Sequence, residues 1–250
     1  MQPRGPDGFG EDASRRAVED RFDKAFARAG ALPGWLTREQ ARCLYDAARA
    51  VPPGGTVVEI GSHHGRSAVV LASGLDATGC LVAVDPFPAD WRYGSPDTEQ
   101  AFRRNVAAAG VADRVDLRVA ASRQVRAGWS GPLHLVYVDG KHDHWSCLDD
   151  LRWSEHLAPG GWLLVHDAFS SLGVTTALLR ALLGSRTLRY AGRVGSLARL
   201  EVAPPSVRHR WRVLAELPWW ARNLVVKVLL RLRVRRAAAL LGHHDAADPY

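Results

Sequence analysis

Cysteine and long apolar runs are both scarce in this sequence of 250 residues. The three cysteines, Cys43, Cys80 and Cys147, form no CxxC pair, which argues against a disulfide framework and indicates a reducing compartment. No run of about 18 apolar residues occurs, so we predict no membrane-spanning helix. Residues 1–16 lack the apolar stretch of a secretory signal, and we therefore expect a cytoplasmic protein.

Acidic residues are nearly absent from residues 208–236, whereas the rest of the chain is almost neutral. The chain has 33 Lys and Arg against 26 Asp and Glu, a formal charge of +7. Residues 208–236 contain nine of these bases and a single acid, Glu216. An evenly basic protein would indicate nucleic acid as the partner, but charge confined to one segment argues against that class.

Short apolar runs alternate with helical patterns from residue 56 onwards. We predict five strands from these runs, over residues 56–60, 80–85, 115–120, 133–139 and 162–167. The helices between and after them are predicted over 67–75, 97–110, 144–157 and 172–183. A hairpin is predicted over 187–202, turning near 192–195. The pattern predicts an α/β fold, a Rossmann-like, seven-stranded, mostly parallel sheet with a C-terminal antiparallel hairpin and helices on both faces.

The chain divides by composition into four parts. Residues 1–13 are rich in Gly, Pro and Asp and are predicted to be disordered. Residues 14–52 are predicted to form an N-terminal helical cap, with one helix ending at Gly30 and a second running from Thr37 to about Ala50. Residues 53–204 carry the predicted sheet, and residues 205–250 form a basic amphipathic tail.

The turn after the first predicted strand, within VVEIGSHHGRS at 57–67, is the first candidate binding site. Gly61 and Gly65 permit a tight turn, and the following helix offers free amides to a carboxylate. Glu59 can accept from an ammonium group, so the turn suits the amino-acid end of a cofactor. His63 and Arg66 stand where a dinucleotide fingerprint requires glycine, which argues against a nicotinamide-dependent oxidoreductase. An ordinary strand–turn–helix corner is the alternative.

Two further strand ends carry groups that suit a nucleoside. Asp85 ends the second strand, where a carboxylate can accept both hydroxyls of a ribose. Ala121 and Ser122 follow the third strand, where small side chains leave room for an adenine ring. The alternatives are a loop acid before Pro86 and a helix cap at Ser122.

The fourth and fifth strand ends bring two acids and an imidazole together. Asp139 and Asp167 end neighbouring strands, and like charges so close are costly unless a cation joins them. Oxygen ligands favour Mg²⁺, which would lower the pKa of an acceptor hydroxyl. His142 stands where a general base is needed. The alternative for His142 is a solvated or capping residue.

Other histidines lie near the same predicted edge of the sheet. His142-x-His144 together with His166 offers imidazole ligands for a transition metal, although Mg²⁺ accounts better for the paired acids. His63 and His64 are predicted to shape the pocket. The acceptor pocket is predicted to be built from the N-terminal helices, the loop 86–96 with Trp91 and Tyr93, and the residues after Asp167.

With these motifs in place, the chain resembles the small class I methyltransferases that use S-adenosylmethionine, namely the catechol O-methyltransferase-like and methyltransferase domain 24 groups. The matching segments, within residues 35–202, are VVEIGSHHGRSA, VAVDPF, VAASRQV and LVYVDGKHDHWSCLDDLRWSEHLAPGGWLLVHDAF. The resemblance implies a cofactor site formed by the residues Glu59, Gly61, Ser62, Gly65, Ser67, Asp85, Ala121, Ser122 and Asp139.

The same resemblance implies a catalytic role for one histidine and a metal site at two acids. It implies His142 as the base for O-methylation of a small-molecule or sugar hydroxyl, and Asp139 and Asp167 as Mg²⁺ ligands. Metal-dependent relatives usually have a third ligand beside the second acid, whereas this chain has Ala168 there, so the metal requirement stays open. The alternative function is a non-catalytic, membrane-associated binding protein that keeps the cofactor fold.

The tail combines Trp219 and Trp220 with apolar residues and five cationic residues between 227 and 236. At helical spacing this predicts an amphipathic helix with a cationic face. Three partners fit such a helix: an anionic membrane surface, which would make the protein peripheral at the inner face of the membrane, a docking or homodimer helix, and nucleic acid. The last lacks support because no recognised binding module is present.

Overall fold

The computed structural model describes residues 7–88 and 95–242. Two helices precede the sheet, α1 (Asp7–Gly30) and α2 (Arg38–Arg49). The sheet strands are β1 (Thr56–Ile60), β2 (Cys80–Val84), β3 (Val115–Arg118), β4 (Leu133–Val138), β5 (Leu157–Val165), β6 (Leu188–Val194) and β7 (Leu197–Val202). The helices among them are α3 (Arg66–Gly74), α4 (Thr98–Ala108), α5 (Ser122–Ala127), α6 (His144–Asp150) and α7 (Leu172–Gly184). Three helices follow the sheet: α8 (Val207–Leu214), α9 (Leu217–Arg231) and α10 (Arg235–Leu240).

The seven strands form one sheet in the order β3-β2-β1-β4-β5-β7-β6. Neighbouring strands from β3 to β5 are parallel, and β7 runs antiparallel to both of its neighbours. This confirms the predicted fold class. The strand order reverses direction between β1 and β4, and ligands of such sheets bind beyond the carboxyl ends of the strands at that point.

The central strands β1, β2 and β4 are buried on both faces because helices cover each side of the sheet. One apolar core joins α1, α2, α3 and α4 to one face, with Phe22, Leu44 and Leu71 in it. The second core joins the opposite face to α6, α7 and the helices after the sheet, with Trp153, Phe169 and Tyr190 in it. The site at the carboxyl ends is therefore held between two packed layers.

Some element boundaries differ from the predicted ones. Helix α1 begins at Asp7, so the part of the predicted disordered segment that the structure describes is helical. Extending an existing helix costs less than nucleating one, which composition alone does not capture. Residues 1–6 of that prediction lie outside the described residues. The predicted helix over 144–157 ends as α6 at Asp150 and continues as 3₁₀ turns over Leu151–His156.

The fifth strand begins five residues earlier than the apolar run predicts, at Leu157. A register shift against β4, between Leu133 and Leu135, accommodates the extra residues, and Gly160 adopts a left-handed φ of 78° there. The predicted turn of the hairpin lies at Gly195 and Ser196, between β6 and β7. Both differences leave the carboxyl ends of the strands unchanged.

The basic tail folds as three helices that pack on the domain. Val213 of α8 and Val226 of α9 are buried, and Trp219 and Trp220 pack against the second core. Glu216 points inward, accepting from Tyr190 Oη at 2.9 Å and Arg193 Nε at 2.7 Å. Within 7–88 and 95–242, no helix is both long enough and apolar enough to span a bilayer.

Candidate active site

The turn between β1 and α3 is as tight as its glycines suggest. Gly61 and Gly65 both adopt φ values of 87°, in the left-handed region that favours glycine. A Cβ at Gly61 would lie 2.2 Å from the backbone oxygen of Asp139, so glycine is required for the ends of β1 and β4 to approach each other. Gly61 thus allows the turn after β1 to lie directly against the end of β4, where Asp139 stands.

Glu59 lies behind this turn with none of its surface exposed. Its Oε1 accepts a hydrogen bond from Ser67 Oγ at 2.5 Å, and its Oε2 has no partner among the described residues. Burial raises the pKa of Glu59 to about 7, although the Ser67 bond opposes that shift. The Ser62 hydroxyl is also buried and unpartnered within the described chain. Both atoms therefore lack the hydrogen-bond partner that a buried polar atom ordinarily has.

Asp85 lies after β2 and accepts hydrogen bonds from two backbone amides. The His63 amide donates to one carboxylate oxygen at 2.9 Å, and the Phe87 amide donates to the other at 2.7 Å. These bonds fix the carboxylate against the β1–α3 turn. A carboxylate has about four lone-pair sites, so both oxygens retain capacity to accept a diol.

Ser122 begins α5 and is linked to a residue that the sequence did not single out. Its Oγ accepts from Trp153 Nε1 at 2.8 Å. Asp150 is buried nearby, and burial raises its pKa to about 6, while a hydrogen bond with Ser122 opposes the shift. Gly140 approaches the Asp150 carboxylate so closely that an added Cβ would lie 3.1 Å from Oδ2. The sequence did not single out Asp150, because an acid within an acidic helix does not stand out as a site residue.

Asp139, His142 and Asp167 converge as the strand order predicts. His142 Nδ1 lies 3.3 Å from Asp167 Oδ2, and its Nε2 lies 3.7 Å from Asp139 Oδ1. Tyr137 Oη donates to Asp139 Oδ2 at 3.0 Å. Burial disfavours a charged His142, but the two carboxylates outweigh it and raise its pKa. His142 is therefore a stronger base than free imidazole, and it retains 46% side-chain exposure to reach a substrate.

His166 lies between the same two acids and is 7% exposed. Its Nδ1 is 3.4 Å from Asp139 Oδ1 and 3.8 Å from Asp167 Oδ1. Burial opposes protonation of His166, yet the neighbouring carboxylates outweigh it and raise its pKa well above the usual value. The pKa of Asp139 is lowered: burial would raise it, but His166 and His142 favour its charged form. The two acids thus favour the protonated form of His166.

Gln40 of α2 contacts His166 from the other side of the sheet edge. Its Oε1 lies 3.4 Å from His166 Nε2, and its Nε2 donates to Ser196 Oγ at 3.1 Å. The same Oε1 accepts from the Thr37 amide at 3.0 Å, as the third residue of a capping box. Gln40 is separated from His166 by 126 positions, so no local pattern could have predicted the contact.

The loop after Asp167 is held by the tail. Asp167 and Phe169 have left-handed φ values of 54° and 56°, which side chains rarely adopt. Asn223 of α9, fully buried, donates from Nδ2 to the Phe169 carbonyl at 3.0 Å. Lys227 donates from Nζ to the Ser170 carbonyl. Helix α9 therefore stabilises the backbone that directs Asp167 toward His142.

A cavity of about 1210 Å³ joins these groups. Most of the predicted site residues line it, namely Gly61, Ser62, Ser67, Asp85, Ala121, Ser122, Asp139, His142 and Asp167. Glu59 and Gly65 are not among its lining residues and lie behind it. Trp35 lines the cavity, as expected of the N-terminal segment, and so does Lys227, which was not expected. Trp91 and Tyr93 lie outside the described residues.

The predicted histidines divide between the cavity and its surroundings. His63 and His64 line it and contact each other through their rings, with centroids 4.0 Å apart. His144 instead contacts Thr176 Oγ1 at 2.8 Å and is not among the lining residues. The proposed transition-metal set of His142, His144 and His166 is therefore not brought together.

Comparison with known proteins relates the segment that carries this site to a protein family. Residues 58–168 match a family model described as a methyltransferase domain. This segment is therefore similar to a methyltransferase domain. It runs from the middle of β1 to the residue after Asp167, so it includes every predicted cofactor and metal residue.

Solved structures share the fold of this chain at low sequence identity. An O-methyltransferase from Bacillus cereus in complex with SAH has a TM-score of 0.55, with 19% identity over 73% of this chain and 90% of that chain. The SAH-bound methyltransferase of Podospora anserina scores 0.56, with 17% identity over 80% and 97%. The O-methyltransferase TomG from Streptomyces achromogenes, involved in tomaymycin synthesis and in complex with SAM, scores 0.54, with 22% identity over 73% and 89%. The chain thus has the Rossmann-like fold of class I S-adenosylmethionine-dependent methyltransferases.

Proposed function

We propose that the protein transfers a methyl group from S-adenosylmethionine to a hydroxyl oxygen of a small-molecule or sugar acceptor, with His142 as the general base. The observation that carries the proposal is the placement of His142, which lies between two carboxylates at the wall of a cavity that also contains the cofactor-type residues. The family match and the SAM-bound and SAH-bound neighbours support the cofactor.

The buried polar atoms of the β1–α3 turn fit the amino-acid end of the cofactor. Glu59 Oε2 and Ser62 Oγ need partners, and an ammonium group, directly or through water, would supply donors. Asp85 is fixed by two amides and can accept the ribose hydroxyls. Ala121 and Ser122 line the same cavity and would bound the adenine.

The chemistry requires positioning and the removal of one proton. The acceptor oxygen attacks the methyl carbon in line with the carbon–sulfur bond, and the bonding electrons pass to sulfur, giving S-adenosylhomocysteine. The acceptor proton passes to His142, whose raised pKa suits a base. Asp139 and Asp167 hold the imidazole and stabilise its protonated form, because both carboxylates lie within 4 Å. Alignment of the two reactants supplies much of the rate.

A divalent cation fits one set of donors in this site. Ligand atoms of Asp139, His166 and Asp167 lie within 4.8 Å of one another. His166 would take the place of the third ligand that Ala168 cannot provide, and a mixed oxygen and nitrogen set departs from the all-oxygen preference of Mg²⁺. These three residues would hold the ion, and the ion would lower the pKa of an acceptor hydroxyl.

Calorimetric titration with S-adenosylmethionine and with NAD tests the cofactor. We expect saturable binding of the first and no heat from the second. The acceptor is then sought by transfer of labelled methyl groups to a panel of phenols and sugars, with and without EDTA. Cofactor binding with no transfer to any hydroxyl acceptor would support the alternative, a non-catalytic protein with a cofactor fold. Methyl transfer at an unchanged rate in the presence of EDTA would exclude a requirement for a metal ion.

A further inference from the structure

Helix α9 exposes an apolar stripe on the side opposite to the active-site loop. The exposed positions Pro218, Ala221, Val225, Val228 and Leu232 recur at spacings of three and four along the helix and its C-terminal end. Val225, Val228 and Leu232 are 49%, 55% and 66% exposed. Every member of the stripe is apolar, whereas an outer helix face in contact with water is ordinarily polar.

The exposed charges at the C-terminal end of this stripe and just after it in the chain are of one sign. Arg231, Arg233, Arg235 and Arg236 are exposed and form no salt bridge with any residue of the described chain. Glu216, the single acid of 208–236, is engaged by Tyr190 and Arg193 inside the fold and cannot neutralise them. The tail therefore combines exposed aliphatic groups with four cations that have no acidic partner among the described residues.

We propose that this stripe and its arginines bind an anionic lipid surface. The helix would lie in the plane of the interface, with Val225, Val228 and Leu232 in the boundary between headgroups and acyl chains and the arginines against the headgroups. The proposal is independent of the reaction catalysed in the cavity.

A second copy of the chain is the competing occupant, and the charges argue against it. The spacing of the stripe would allow two helices to pair. Parallel pairing would also bring the arginines of both copies close together, and like charges at an interface are strongly unfavourable. An anionic surface attracts the same arginines. The lipid surface is therefore favoured over a second copy of the chain.

Co-sedimentation of the full chain with lipid vesicles tests the proposal. We expect binding to phosphatidylcholine vesicles that contain roughly one-third phosphatidylglycerol, and little binding to pure phosphatidylcholine, since anionic lipid attracts basic segments. A variant carrying Val225→Ser, Val228→Ser and Leu232→Ser, all at exposed positions, should lose most of the binding. The double variant Arg231→Glu and Arg235→Glu should bind at least about 25-fold more weakly, from about 5-fold for each lost cation.

A charge-matched control uses Arg16→Glu and Arg21→Glu, exposed positions on α1. Since α1 packs on the opposite face of the sheet, this variant has the same net charge and should bind as the parent does. Absence of binding to the anionic vesicles would overturn the proposal, and so would equal weakening by both charge variants. A dimer in light scattering that the serine variant dissociates, without vesicle binding, would assign the stripe to a second copy.

Discussion

His166 determines how the two acids of the site can coexist. Two carboxylates that converge on one point require a positive charge, and the sequence suggested an ion. The structure places the His166 imidazole within 4 Å of both acids, with its pKa raised well above the usual value. Its other nitrogen faces Gln40 Oε1, so hydrogens on both nitrogens are accommodated. The same residue can thus act as the cation or, when deprotonated, as a ligand.

His142→Ala should abolish methyl transfer and leave the cofactor affinity unchanged. Loss of a general base costs roughly 10² to 10⁴ in rate, whereas His142 is not expected to contact the cofactor. For the parent, the rate should rise with pH through the raised pKa of His142, because only the neutral imidazole accepts a proton. Turnover with an acceptor found in the panel and calorimetric titration measure the two effects.

His144→Ala is the matched control for this prediction. His144 is two residues away and contacts Thr176 rather than lining the cavity, so its loss should leave turnover near that of the parent. Equal losses in the two variants would mean that His142 acts through local folding and not as the base.

Glu59→Gln should remove a proton release that accompanies cofactor binding. The pKa of Glu59 is about 7 because of burial, so a fraction of the side chain is protonated near neutral pH. An ammonium group favours the carboxylate and lowers that pKa, and a proton leaves; above pH 8 little remains to be released. Loss of the charged bond should weaken binding roughly 10- to 100-fold.

Titration at pH 6.5 in two buffers of different ionisation enthalpy measures the released proton. Ser67→Ala is the control, because it removes a hydrogen bond to Glu59 but keeps the carboxyl group. Proton release that persists in Glu59→Gln would show that another group titrates.

The residues that were predictable are those that follow strands. Asp85, Asp139 and Asp167 were identified because the carboxyl ends of parallel strands meet at one edge of a sheet. Gln40, Asn223 and Lys227 were not, because each reaches the site from a helix distant in sequence. Their contacts depend on how the helices pack. Hydrophobic periodicity predicts which face of a helix is buried, but not which residues of other elements that face contacts.

At the scale of elements, α9 connects the tail to the loop after Asp167. Its inner side carries Asn223 and Lys227 against the carbonyls of Phe169 and Ser170, one helical turn apart. Two left-handed residues, Asp167 and Phe169, depend on this support, since such backbone conformations cost of order 1 kcal/mol or more for side-chain-bearing residues. The sequence predicted this helix from its amphipathic pattern and missed its inward role.

Asn223→Ala should loosen the loop and lower the stability of the whole domain. The Phe169 carbonyl would lose a buried donor, which costs about 1–3 kcal/mol. Denaturant unfolding should show the loss, and hydrogen exchange should quicken at residues 167–171. Ala221→Ser, on the exposed side of the same helix, should change neither measurement. Unchanged exchange in the Asn223 variant would mean that the loop holds its conformation without α9.

At the scale of the whole molecule, the tail behaves as part of the fold. Deleting residues 205–250 would expose the core covered by Val213, Val226, Trp219 and Trp220. Each buried valine alone contributes about 1.5–3 kcal/mol, so the shortened chain should unfold at markedly lower denaturant concentration or aggregate. Unfolding at the parent's midpoint would show that the domain ends near residue 204. For the same reason, vesicle binding is tested with point variants.

The hydrogen bonds from α9 to the loop after Asp167 also constrain protein engineering. A chimera that joined residues 1–204 to the tail of a relative would exchange the donors that hold Phe169 and Ser170 in place. Such a graft would have to preserve an amide at 223 and a long donor at 227, or redesign the loop with residues that need no such support.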